Sequence, residues 1–288
     1  MQTKHKRAVK ALSTSALALG MIVALDANAQ ATSGIASTRH NLGSSNRTAS
    51  GNTTPNTNIR PGDIYTTGVA EICVFCHTPH ASVASDAPLW NKTITSSGAS
   101  YIMYSSGTMQ GTASFAGNTN MSLACLSCHD GTQAMDNMPN MPSSNSSAGW
   151  DNSGTQRLPG TWWAGTEDAE ATGNTINGAL NAAAYMELGT DLSNDHPVGI
   201  PYCGGGLNAS GVGTCSDSDF NAVSPGPNAY SFVVGTNATM KSNMRLYNTA
   251  GVLTVECGSC HDPHNTTNTS FLRISNSESA VCLTCHVK

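Results

Sequence analysis

The sequence predicts a mostly irregular fold, with a few short helices and hairpins organised around apolar mass that its own side chains do not supply. Three observations lead there. Leu, Ile, Val and Phe together make 46 of 288 residues, or 16%, below the level at which an ordinary hydrophobic core becomes doubtful. Charged residues are 11%, against about 25% in a typical globular protein, so the chain is not a highly charged disordered one either. A doubly wound sheet, which needs long Val/Ile/Leu strands, is also excluded. The third observation is the ten cysteines.

The first element along the chain is a leader. Lys4, Lys6, Arg7 and Lys10 precede the apolar run Ala11 to Leu25, which closes on Ala27-Asn28-Ala29. That is the order of a signal peptide over residues 1–29, with a mature chain starting at Gln30. The apolar run is too short to span a bilayer comfortably as an anchor, and no later segment is apolar enough to do so. The expected location is extracellular or the outer cell surface, with the periplasm as the alternative. Without the leader, nine basic residues face 17 acidic ones, a net charge of −8, and nucleic acid is not an expected partner. Exported cysteines become disulfides unless something else claims them.

Eight of the ten are claimed by four repeats of one pattern: Cys73-x-x-Cys76-His77, Cys125-x-x-Cys128-His129, Cys257-x-x-Cys260-His261 and Cys282-x-x-Cys285-His286. Each reads as a c-type haem attachment site. Two thiols three positions apart reach the two vinyl groups on one porphyrin edge, and the next residue places an imidazole under the iron, as proximal ligand. Paired Cys-x-x-Cys units also build zinc sites. A His after all four pairs, in a chain with nine His in total, and the exported context favour haem. Four covalent haems then supply the missing apolar mass, and the fold is organised around them. The remaining cysteines, Cys203 and Cys215, enclose a glycine-rich stretch and read as a disulfide, with two free thiols as the alternative.

Once His5 leaves with the leader, four histidines remain beyond the proximal ones: His40, His80, His196 and His264. One distal candidate per haem predicts four bis-histidine, six-coordinate irons, which suits electron transfer and leaves no position for a substrate. His80 and His264 follow their proximal His by three residues, too near to reach the opposite face of the same haem, and are expected to ligate a neighbouring one. His196 precedes Pro197, which biases it to extended loop structure. His40 lies in a polar N-terminal arm, where a solvated His is the alternative. Met135, Met138 and Met141 could replace one histidine, although Met more often fills gaps.

The expected organisation is one tetrahaem domain over 30–288: an arm at 30–63, haems one and two at 64–130, a loop-rich segment at 131–243 and haems three and four at 244–288. Arg245 to Tyr247 and Val252 to Val255 read as a hairpin about Asn248 to Gly251. Ser275 and Glu278 are spaced as a capping box for a helix carrying the fourth site. Ala179 to Leu188, stopped by Gly189, is the best helix of the loop-rich segment. Trp162-Trp163 could pack on a porphyrin, on another subunit or in a local cluster.

The two Cys-x-x-Cys-His-x-Pro-His sites, the His196-Pro197-Val198-Gly199 stretch and the closing Val281-Cys282-Leu283-Thr284-Cys285-His286 resemble multihaem cytochromes with paired haem motifs. More narrowly, four haems in a loop-rich exported chain of this size are similar to the OmcE-type tetrahaem cytochromes of metal-reducing bacteria, over about residues 64 to 286. That resemblance implies a homopolymer, an extracellular filament in which one histidine ligand crosses to the adjoining subunit. It makes His40 the candidate donor, from an arm free to reach outward. It also implies redox partner cytochromes and extracellular electron acceptors. A monomeric shuttle with the same haems is the alternative, followed by a reductase in which one haem keeps an open position.

If the haems are the core, chain produced without haem attachment cannot bury enough apolar surface to offset its conformational entropy. Its far-ultraviolet circular dichroism and amide exchange are expected to be those of an unfolded chain.

Overall fold

Short apolar runs broken by Gly, Asn and Ser permit only short elements, and the architecture follows from that. The computed structural model describes residues 35–43, 64–66, 71–94, 100–115, 120–140, 162–164, 167–168, 175–176, 179–180, 186–225, 232–234, 244–265 and 267–287. Three α-helices are found among them: α1, Met121–His129; α2, Cys257–Cys260; and α3, Ala280–Cys285. Each contains the cysteines of one attachment motif, and the first motif forms a 3-10 turn, Cys73–Phe75. Helical structure is therefore concentrated where two cysteines must share a face. None of the described helices is long and apolar enough to cross a membrane.

The strands are equally short. β1 (Ile64–Thr66), β2 (Trp162–Ala164) and β3 (Glu167–Asp168) form one antiparallel sheet; β4 (Thr175–Ile176) pairs with β5 (Ala179–Leu180). β6 (Ile200–Pro201), β9 (Tyr247–Thr249) and β10 (Val252–Val255) form a second sheet in the order β6-β10-β9, and β7 (Val223–Pro225) pairs with β8 (Phe232–Val234). Tyr65 faces Trp163 in register by backbone; the Trp162 and Trp163 side chains lie outside the described residues, as does the leader.

The β9–β10 hairpin is the one expected, with a tighter turn. Val252 pairs with Thr249, so the connection is Ala250-Gly251 alone, and both have positive φ, 51° and 86°. Two consecutive left-handed residues make the turn whose twist matches a right-twisted hairpin. Asn248 supports it by accepting from the Gly251 N–H at 3.1 Å. β10 then runs directly into α2, so the hairpin delivers the third motif.

Two expectations fail. At its described residues, Ala179 to Leu188 is not helical: Ala179–Leu180 is β5, Met186 begins a turn and 187–189 are irregular. Its alanine-rich middle, 181–185, lies outside the described residues, and pairing with Thr175–Ile176 overrides helix propensity at its start. The capping box at Ser275 and Glu278 is also absent. Glu278 and Ser279 take positive φ, 54° and 61°, so α3 starts at Ala280 with no side-chain cap. A capping box forms instead at α2, between Glu256 and Ser259.

The buried apolar side chains divide into small clusters around the motifs. Leu42, Ile64, Phe75, Met135, Met138 and Leu180 gather against Cys76 and Cys128. Tyr202, Leu207, Met244, Leu246, Leu253, Val255 and Ile274 gather against Cys260 and Cys285. Met135 and Met138 are buried filling of the first cluster; Met141 lies outside the described residues.

Cys203 and Cys215 are disulfide-bonded. Their loop closes tightly: a Cβ on Gly206 or Gly213 would run into the facing backbone carbonyl, and both have positive φ, 88° and 138°. The segment past the disulfide clasps the fourth motif. Asn221 N–H donates to the Cys285 carbonyl at 2.8 Å, its amide donates to Leu283 and Thr284, and Tyr202 Oη donates to Asn221 O at 2.8 Å. Replacing both Cys203 and Cys215 by Ala is expected to cost about 3 kcal/mol in the chain-entropy estimate, read as a lower midpoint in thermal unfolding of haem-loaded protein.

Candidate haem-attachment sites

A helical turn puts residues i and i+3 on one face, which is what two thioether bonds to one porphyrin edge require. The turn is closed at each motif: the His77, His261 and His286 N–H groups donate to Cys73, Cys257 and Cys282 carbonyls at 2.8, 3.0 and 2.9 Å, and His129 lies within α1. At His261 and His286 the backbone turns extended (ψ 143° and 138°), so the chain leaves the helix at the imidazole.

Three proximal rings are held alike. Nδ1 of His77 donates to Pro88 O at 2.7 Å, that of His129 to Met186 O at 2.8 Å and that of His261 to Ser270 O at 2.7 Å. A carbonyl only accepts, so Nδ1 carries the proton and Nε2 is left with its lone pair free for an iron, as in histidines that bind metals through one ring nitrogen while the other donates to an acceptor. Two of these carbonyls are aimed by strained backbone: Leu89, next to Pro88, has φ 53°, and Ser270 and Phe271 have φ 54° and 60°. Left-handed non-glycine residues cost of order 1 kcal/mol or more each and gather at functional sites. His286 packs on Phe220, ring centres 4.5 Å apart.

Two of the four remaining histidines face a proximal one. His264 lies opposite His77 with ring centres 6.1 Å apart and planes within 16°. His40 lies opposite His129 at 6.0 Å, planes at 78°. Imidazoles facing across a metal with nitrogen–metal distances of about 2 Å on each side have ring centres about 6 Å apart, so both spacings fit an iron between the rings. His40 Nδ1 is sealed from solvent with no hydrogen-bond partner. Burial first, then the neighbouring His129, lowers its pKa to about 3; it is held as the neutral imidazole that a metal binds.

This corrects the picture of a free arm. Ala36, Thr38, Asn41 and Leu42 are buried, a 3-10 turn spans Ile35–Ser37, and His40 sits against a histidine of its own chain. Its ring is turned toward His129 rather than outward. His80 and His196 are exposed, and among the described residues neither ring faces a proximal histidine; His196 Nδ1 contacts Pro197 O at 3.0 Å.

The cysteines place the four sites relative to one another. As a free thiol, Cys76 is pushed up to about 12 by burial and then by Cys128. Cys125 is raised first by its hydrogen bond to Cys257. Cys285 is pushed up to about 12 by burial and then by Cys260. Cys76 and Cys128 border one buried cluster and Cys260 and Cys285 another, Ser122 of α1 accepts from the Cys257 N–H, and His264, just past the third motif, lies against His77 of the first. Among the described residues no three His, Cys, Asp or Glu side chains converge on one point, as a tetrahedral zinc site would need.

The second and third motifs are joined through Glu256, which is 1% exposed. Its carboxylate accepts from Asn120 Nδ2 (2.8 Å), Ser122 Oγ, Thr254 Oγ1 (2.8 Å) and Thr249 Oγ1 (3.3 Å), while Ser122 Oγ accepts from the Cys257 N–H at 3.0 Å. Burial raises its pKa and these donors oppose the rise. Sequence reading missed this group, because a lone glutamate before a cysteine carries no motif.

The family described as the doubled CXXCH motif matches residues 250–288, the span of the third and fourth motifs. No curated protein matches the chain. This match, together with the helical Cys-x-x-Cys-His turns, supports a protein of the multihaem c-type cytochrome kind, proteins that bind haem c covalently and carry electrons. Cytochromes of this kind are generally exported.

Gly258, inside the third motif, has no room for a side chain: a Cβ there would lie 3.0 Å from the Tyr247 ring and 3.2 Å from Met121 Cγ. Gly258→Ala is expected to force α1 and α2 apart and destabilise the protein by about 1–3 kcal/mol, measured by denaturant unfolding of the haem-loaded form.

Proposed function

We propose that the protein carries four haems in a row and serves as the subunit of an extracellular cytochrome filament that conducts electrons to external acceptors. The observation that carries the reading is the placement of the motifs: Cys76 and Cys128 border one buried cluster, Ser122 of α1 accepts from the Cys257 N–H at 3.0 Å, and Cys260 and Cys285 border another cluster, which supports attachment sites that follow one another along one path. Cys73, Cys76, Cys125, Cys128, Cys257, Cys260, Cys282 and Cys285 attach the haems. His77 with His264 and His129 with His40 ligate the first and second irons. His261 and His286 ligate the third and fourth, completed by His80 and His196.

When bound, the haems supply one-electron redox chemistry; the chain orients the imidazoles, keeps them neutral and surrounds the porphyrin edges with apolar side chains. Polymerisation rests on the resemblance to the OmcE-type cytochromes and on a surface with little charge to oppose self-association. Since His40 is turned inward, the ligand that crosses a subunit contact is His80 or His196, both exposed.

The test is electron microscopy of protein from the extracellular fraction, with an absorption spectrum of the same sample and the mass of the haem-loaded chain. Uniform filaments, four haems per chain and wholly low-spin spectra are expected. Discrete particles would make it a shuttle, and a high-spin band in the unaltered protein a reductase. His40→Ala and His264→Ala are each expected to turn one haem in four high-spin; fully low-spin spectra in both would remove the assigned pairs.

A further inference from the structure

We propose that two buried charges of opposite sign, Lys92 between the first and second attachment sites and Glu256 between the second and third, set a potential gradient along the haem row, so that an electron in this stretch rests preferentially at the first haem. The proposal deepens the four-haem reading and depends on it. Neither residue belongs to an attachment motif or to the histidine set.

Lys92 is 0% exposed. Its ammonium donates to the carbonyls of Ala134 (2.8 Å), Met135 (3.1 Å) and Asn137 (3.5 Å). The neighbouring Asn91 N–H donates to Cys76 O at 2.9 Å and its amide to Val74 O at 2.7 Å, while Met135 and Met138 of the carbonyl-bearing loop pack with Cys76 and Cys128. The cation is thus fixed between the first two attachment motifs. Glu256 is fixed in the same way at the next junction: its donors come from α1 and from β9 and β10, and it immediately precedes Cys257.

A ferric haem carries one positive charge more than a ferrous one. A cation nearby disfavours the ferric form and raises the potential, a carboxylate nearby lowers it, and a dry interior strengthens both effects. Asp130, next to the second motif, has its carboxylate engaged by Tyr101 Oη at 2.6 Å and by Thr132, and Asp136 is buried in the carbonyl-bearing loop as well. Arg273, beside Cys260, is paired with Asp262 at 3.4 Å.

The test is a potentiometric titration of the haem-loaded protein, followed by the reduced-haem absorption. Lys92→Met is expected to shift the upper part of the curve to lower potential, and Glu256→Gln to shift the lower part upward. Lys92→Arg keeps the charge and leaves the curve in place; Ser122→Ala removes a donor without removing charge and moves it less than Glu256→Gln. Curves that stay put, shifts of the opposite sign, or Lys92→Arg moving the curve as far as Lys92→Met would overturn the gradient. Should Lys92→Met fail to load haem, Glu256→Gln decides alone, and an unmoved or lowered curve overturns it. Failure of the underlying reading shows separately, as fewer than four haems in the mass of the unaltered chain.

Discussion

The buried carboxylate of Glu256 is the interaction on which the arrangement of the motifs depends. It ties residues 120 and 122, at the start of α1, to residues 249 and 254 of the hairpin, and it caps α2. A carboxylate buried this deeply is tolerable only when its lone pairs are met by donors, and four side chains meet them. Because the same Ser122 hydroxyl also accepts from the Cys257 N–H, the group that satisfies the charge also sets the separation of the second and third attachment sites.

A second constraint acts within each motif. Two thioether positions and an imidazole must come from five consecutive residues, and one closed helical turn provides the geometry. The turn leaves the imidazole able to swing, and three of the four proximal rings are therefore pinned through Nδ1 to a carbonyl from a distant loop. Aiming two of those carbonyls places Leu89, Ser270 and Phe271 in left-handed backbone, strain that the surrounding packing and, on the proposed reading, the iron bond offset.

The small clusters of buried side chains make sense in these terms. The two largest lie against the cysteines of two motifs each, so side chains and porphyrins would form one mixed core rather than two separate ones. Fixed charges placed at such junctions act through little water. On the proposed reading, a carbonyl-held lysine at one junction and a donor-held glutamate at the next give the row an electrical direction that identical attachment motifs could not give.

Much of the local structure was legible in the sequence. Each Cys-x-x-Cys-His repeat places two thiols and an imidazole within five residues, the hairpin about residues 248–251 forms with a tighter turn, and Cys203 and Cys215 are joined across their glycine-rich loop. Where a feature depended on distant partners, the sequence misled or was silent. Ala179–Leu180 became a strand because another strand lay beside it, and Glu278 left the helix because residues 276–279 take another path. His40 looked like part of a free arm and is turned inward onto His129, since Leu42 and its neighbours find a buried place. Pairings such as His264 with His77, the order of the motifs and the roles of Glu256 and Lys92 are contacts between residues dozens to more than a hundred positions apart. Spacing along the chain carries no record of them, and only tertiary packing decides them.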